Sequence, residues 1–91
     1  MAGYLEGKVV AVIGDGTEAQ RAVALALAAA GADIAVAGVA SDLATEAALH
    51  SIANEVWATG RRSTVVVLPA EDAALGPSDL GDPDLVVRCK G

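Results

Sequence analysis

Gly14-Asp15-Gly16-Thr17 is the stretch whose residue types and spacing could do chemistry, because it closes the β-branched run Val9-Val10-Ala11-Val12-Ile13 and opens an alanine-rich run from Glu18 to Ala30. A turn with so little side chain bares backbone N–H groups at a helix N-terminus, where they and the helix dipole can hold a phosphate. Gly38, at the end of a second apolar run, Asp33–Val39, is the matching position on the neighbouring strand end. Gly14, Asp15, Gly16, Thr17 and Gly38 are therefore the candidate cofactor-binding residues. Gly14 and Gly16 serve equally well in any tight strand-to-helix turn. Asp15 and Glu18 put negative charge at the helix end that should attract anions. Arg21 could touch a phosphate, or pair with Glu18 or another surface acid.

Elsewhere the residues with chemical potential are few. One Cys and one His in the whole chain leave no zinc constellation and no internal disulfide, so no metal site is expected. Cys89 lacks a His partner to activate it and reads as a small packing residue in a reducing cytoplasm. His50 falls in a helical pattern near its surface, Trp57 reads as core or interface, and Arg61-Arg62 follow the helix they would favourably end. No catalytic residue is assigned. Twelve acidic against six basic residues give a net charge of −6, which excludes nucleic acid and anionic membrane surfaces as partners. The start has no basic, apolar leader, and Val23–Ala30 is too short to span a bilayer.

These residues need elements to position them. The 91 residues suit a single domain, 1–91, whose core must come from Ala, Val, Leu and Ile, because Phe is absent and only Tyr4 and Trp57 are aromatic. Lys8–Ile13 and Asp33–Val39 are apolar on both faces, as strands of a covered parallel sheet are. The spacing predicts a helix over about Glu18–Ala30, with Thr17 as N-cap and Gly31 as its stop. A second helix runs from a cap at Ser41 or Asp42 to about Thr59, with Gly60 ending it. Ser63–Leu68, closed by Pro69, and Asp84–Arg88 complete four strands. Between them, Ala70–Pro83 is turn-rich, with room for a helical turn or two near Glu71–Leu75. Met1–Glu6 is a lead-in whose Tyr4 and Leu5 pack against the sheet rim. The expected architecture is α/β: a small Rossmann-like parallel sheet of two or three layers, strand order 3-2-1-4, with two main helices.

Gly7–Gly14, Arg21–Asp33 and Asp84-Leu85-Val86-Val87 together resemble the N-terminal half of a short-chain dehydrogenase/reductase (SDR), over nearly the whole chain and most distinctively in its first forty residues. In that family the first turn reads Thr-Gly-x-x-x-Gly-x-Gly and its bare N–H groups meet the cofactor pyrophosphate. Here the first glycine is Gly14, but the other two positions hold Glu18 and Gln20. Where the family carries an acid for the ribose, or an Arg for a 2′-phosphate, stand Gly38 and Val39. The family's Asn-Asn-Ala-Gly corresponds to Arg88-Cys89-Lys90-Gly91. The segment bearing its catalytic Ser, Tyr and Lys is not among these residues. The resemblance thus implies a degenerate cofactor motif, with no cofactor expected and NAD or NADP as the alternative.

Connectivity adds one expectation. Right-handed crossovers put both helices on one face of the sheet. The other face, apolar and uncovered, or the free edge of the sheet, would then be buried between chains, in a homo-oligomer or against a partner protein. Two functions stay open: a non-catalytic binding or assembly subunit, and an NAD(P)-binding component or piece of a short-chain oxidoreductase. A regulatory domain taking a less anionic ligand, such as adenosine, is a third.

Overall fold

The computed structural model of the protein describes residues 5–39, 43–68 and 80–89. Its elements are β1 (Val9–Ile13), α1 (Glu18–Ala29), β2 (Asp33–Gly38), α2 (Leu43–Ala58), β3 (Ser63–Val67) and β4 (Leu85–Arg88). They form one four-stranded parallel sheet in the order β3-β2-β1-β4, with both helices packed on one face. The element limits agree with the sequence reading to within a residue or two. The expectations at Tyr4, Ser41, Asp42, Pro69 and residues 70–79 lie outside the described residues.

The register explains why β1 is central. Val10 stands beside Ile34 and Leu85, and Val12 beside Val36 and Val87, so alternate residues form rows across the sheet. Val10, Val12, Ile34 and Val36 face the helices and meet Ala24 and Ala28 of α1 and Leu49, Ile52, Ala53 and Val56 of α2. The small alanines let α1 lie close to the strands. Leu5 packs onto this helix-side core and donates its N–H to the Ala30 carbonyl at 2.9 Å.

Gly31 ends α1 as expected, at φ +102°, with Gly31 N–H on the Ala28 carbonyl and Ala32 N–H on the Leu27 carbonyl. That pair of bonds is the Schellman arrangement, which turns the chain directly into β2. Arg61 and Arg62 do something other than end α2. Arg61 Nη1 donates to the Gly31 carbonyl at 3.3 Å, and Arg62 grips the Asp33 carboxylate through Nε and Nη2 at 3.0 and 2.9 Å. They fasten the start of β3 to the α1–β2 corner.

The second sheet face differs from expectation. Val9, Ala11, Ile13, Ala35 and Ala37 are all buried, so the central strands present no open apolar face. Three of those five are alanines, which offer little area, and Leu68, Val66 and Val39 close over Ile13 and Ala37. Among the described residues the exposed large apolar side chains are Leu43 and Trp57 on α2 and, about half exposed (46–49%), Val67 of β3 and Leu85 and Val86 of β4 on the outer strands.

Candidate functional site

The candidate residues converge where β1 and β2 end and α1 begins. Gly14, directly after β1, donates its N–H to the Ala37 carbonyl at 2.9 Å. A Cβ on Gly38 would overlap the Gly14 carbonyl oxygen, so the two strand ends touch backbone to backbone at a residue that must be glycine. Gly16 sits at φ +76°, and a Cβ there would stand 2.7 Å from the Ala48 Cβ of α2. Both conformation and space require glycine at that position. Asp15 is exposed on the turn. Thr17 is the N-cap of α1 by backbone geometry, but its hydroxyl makes no capping bond and its Oγ1 is buried without a partner among the described residues.

The side chain that organises the turn is Gln20, which had figured only as a departure from the glycine pattern. It is wholly buried. Its Oε1 accepts the Gly16 N–H at 2.7 Å, and its Nε2 donates to the Val12 and Ala37 carbonyls, each at 2.9 Å. The space Gly14 leaves by having no side chain is filled by Gln20, whose Cδ, Oε1 and Cβ lie 2.9–3.1 Å from where a Cβ would be. Thr17-x-x-Gln20 has the spacing of a capping box, in which Gln at the third helical position folds back to a backbone N–H ahead of the helix. That pattern was the available signal. The carboxamide reaches one residue further back than the usual box, to Gly16.

Arg21 does not face the turn as a free cation. Its Nε and Nη2 grip the Glu55 carboxylate at 2.8 and 2.7 Å, and Nη1 meets Glu18 at 2.8 Å, tying α1 to α2. These bonds hold the guanidinium firmly protonated, Glu55 contributing more than Glu18. In return, the hydrogen bond from Arg21 pulls the Glu55 carboxyl below its ordinary range despite partial burial.

The remaining sequence candidates do not join the site. Cys89 packs against the helix-side core, and burial pushes its thiol pKa up, away from a nucleophilic thiolate. His50 is exposed, as expected. Trp57, read as core or interface, is 72% exposed, beside a shallow groove bordered by Asn54 and Thr64. No group of three or more His, Cys, Asp or Glu among the described residues could hold a metal ion.

No family model matches the chain, and no curated protein does. Solved structures do. The chain is 33% identical to a blue fluorescent protein from a metagenomic library, solved in complex with NADPH, over 69% of its own length and 25% of that protein's, with a TM-score of 0.60. Against a short-chain type dehydrogenase/reductase from Mycobacterium marinum the figures are 35%, 69%, 24% and 0.58. A Pseudomonas syringae protein assigned as a short chain dehydrogenase gives 25% identity, 81% and 28% coverage, and a TM-score of 0.64. The chain has the SDR Rossmann fold. It spans about a quarter of the length of these relatives.

Within the SDR-like domain the turn can be tested against the dinucleotide that one of these relatives holds. A pyrophosphate needs free N–H donors and a site without negative charge. The Gly16 N–H is already spent on Gln20, the space at Gly14 is filled, and Asp15 and Glu18 stand exposed beside the turn, with Arg21 shared between Glu18 and Glu55 and so not free to meet an anion. So arranged, these residues do not fit a pyrophosphate in the family's usual mode.

Proposed function

We propose that this SDR-like domain is a non-catalytic binding or assembly module of the cytoplasm, which works by docking to a second protein chain, either another copy of itself or a partner. The observation that supports this reading most directly is the set of half-exposed apolar side chains on the outer strands, Val67 on β3 and Leu85 and Val86 on β4. Outer strands that carry Val and Leu into solvent invite pairing, and charge or proline is the usual defence. The strongly acidic net charge of −6 leaves nucleic acid and anionic membranes as poor partners. No helix among the described residues is long and apolar enough to cross a membrane.

The test is the mass in solution at tens of micromolar by light scattering, for the natural chain and for Leu85→Lys/Val86→Lys. A dimer or larger assembly that the double substitution disperses supports the module. A monomer for the natural chain, with no protein recovered against it by crosslinking in its host, refutes it.

A second reading is an NAD(P)-binding component of an oxidoreductase. It draws support from the glycines at 14, 16 and 38 and from the NADPH held by one relative. Titration with NAD⁺, NADH, NADP⁺ and NADPH separates the two: micromolar binding would favour the second, silence to millimolar concentrations the first.

A further inference from the structure

We propose that Gln20 is an internal ligand of the inherited phosphate turn: its carboxamide occupies the seat that a cofactor oxygen would take and closes it against oxyanions. The inference deepens the non-catalytic reading and rests on it for meaning, though not for geometry.

The first support is saturation. A carboxamide offers one acceptor oxygen and two N–H donors. In Gln20 the oxygen takes the Gly16 N–H and both donors are used, on Val12 and Ala37, with the side chain fully shielded from water. The three bonded backbone groups lie on the turn, on β1 and on β2, the three segments that border the crevice. One side chain therefore stitches the whole mouth of the site together.

The second support is the direction of these bonds. A phosphate oxygen only accepts, so an incoming anion could replace Oε1 at Gly16 but not Nε2 at the Val12 and Ala37 carbonyls. Displacing Gln20 would strip two buried acceptors of a donor and put negative charge beside their partial negative charges. The Ala37 carbonyl would keep the Gly14 N–H, but giving up two buried hydrogen bonds to admit an anion beside those oxygens is unfavourable. The exchange of glutamine for phosphate is thus uphill even before Asp15 and Glu18 add their repulsion.

The third support is complementarity with Gly14. Any side chain at 14 would collide with Gln20, which comes within 2.9 Å of the Cβ position. The glycine that would let a cofactor approach the backbone here lets the chain's own glutamine approach it.

The decisive experiment is NMR on ¹⁵N-labelled natural chain, with inorganic pyrophosphate and NADH as probes. The Gln20 carboxamide protons should exchange with water at least tenfold more slowly than those of Asn54, which is exposed. The Gly16 amide signal should stay in place up to 10 mM of either probe. In parallel, Glu18→Gln/Gln20→Gly should bind pyrophosphate at least tenfold more tightly than Glu18→Gln alone. Exchange of the Gln20 protons at the Asn54 rate, saturable movement of Gly16 in the natural chain, or a folded double variant that binds no more tightly would each overturn the proposal. Should the double variant fail to fold, the two measurements on the natural chain still decide. Neither depends on oligomeric state, so an assembled chain with a freely exchanging Gln20 would refute the internal ligand and leave the assembly module standing.

Discussion

Replacing Gly38 by Ala tests whether the strand ends are as closely joined as the turn requires. Residue 38 has no positive φ, so the added methyl brings no conformational strain and its whole effect is steric. It would overlap the Gly14 carbonyl oxygen and stand 3.2 and 3.3 Å from the two Leu49 methyls. Leu49 is fully buried and has little room to move, and a backbone carbonyl has less. Relief requires β1 and β2 to part at their C-terminal ends. That movement stretches the Gly14 to Ala37 bond and the two Gln20 bonds to Val12 and Ala37. Overpacking costs about 1–3 kcal/mol and the three stretched hydrogen bonds, weakened rather than lost, about 2 together, so a loss of about 3–5 kcal/mol is expected. A domain of this size holds about 5–13 kcal/mol in total, so the variant should stay folded but be severely weakened. Urea unfolding followed by far-ultraviolet circular dichroism reads this loss as a midpoint lowered by roughly 1–3 M. Trp57 fluorescence would be a poor probe, because that indole is already exposed in the folded chain. A Gly38→Ala variant within 1 kcal/mol of the natural chain would refute the backbone contact, and with it the account of how Gly14, Gly38 and Gln20 are nested.

Other consequences are smaller or more local. Leu49→Ala, which empties a fully buried position under β2, should cost about 2–5 kcal/mol, whereas Trp57→Ala should stay within about 0.5 kcal/mol, both read from the same unfolding curves. Arg21 lowers the Glu55 carboxyl from its ordinary 4.5, so the pair stabilises the fold fully above that value and loses its contribution as pH falls through the lowered one. Glu55→Gln should therefore flatten the acid limb of a stability profile, and 1 M salt should shrink the difference because the pair is partly exposed. The raised Cys89 thiol should react with iodoacetamide at pH 7.5 several-fold more slowly than free glutathione, and at an ordinary rate once the chain is unfolded in urea. A Cys89 faster than glutathione in the folded chain would contradict its packing role.

The sequence by itself determined the order and ends of the elements, because those follow from local chemistry. Unbroken apolar runs rich in Val and Ile at 9–13 and 34–36 suit strands of a covered parallel sheet, and Gly31 and Gly60 stop their helices through positive φ angles that other residues resist. The βαβ succession and its handedness then led to the order 3-2-1-4. It also marked the turn as altered, since Glu18 and Gln20 stand where bare backbone was expected. What those residues do was decided only in three dimensions. Gln20 reads in one dimension as a missing glycine. Its role appears when β1, β2 and the turn bring three backbone groups within reach of one carboxamide, and no local pattern encodes a meeting of residues 12, 16 and 37. The same holds for Arg61 and Arg62, whose partners lie some thirty residues back at the α1–β2 corner, and for Arg21, whose main partner is on the other helix. Exposure, too, was a tertiary outcome. Hydrophobicity left Trp57 between core and interface and opened the second face of the sheet, but burial depends on what packs above a residue: the indole stands in solvent, out of the core, while Ala11, Ala35 and Ala37 are buried.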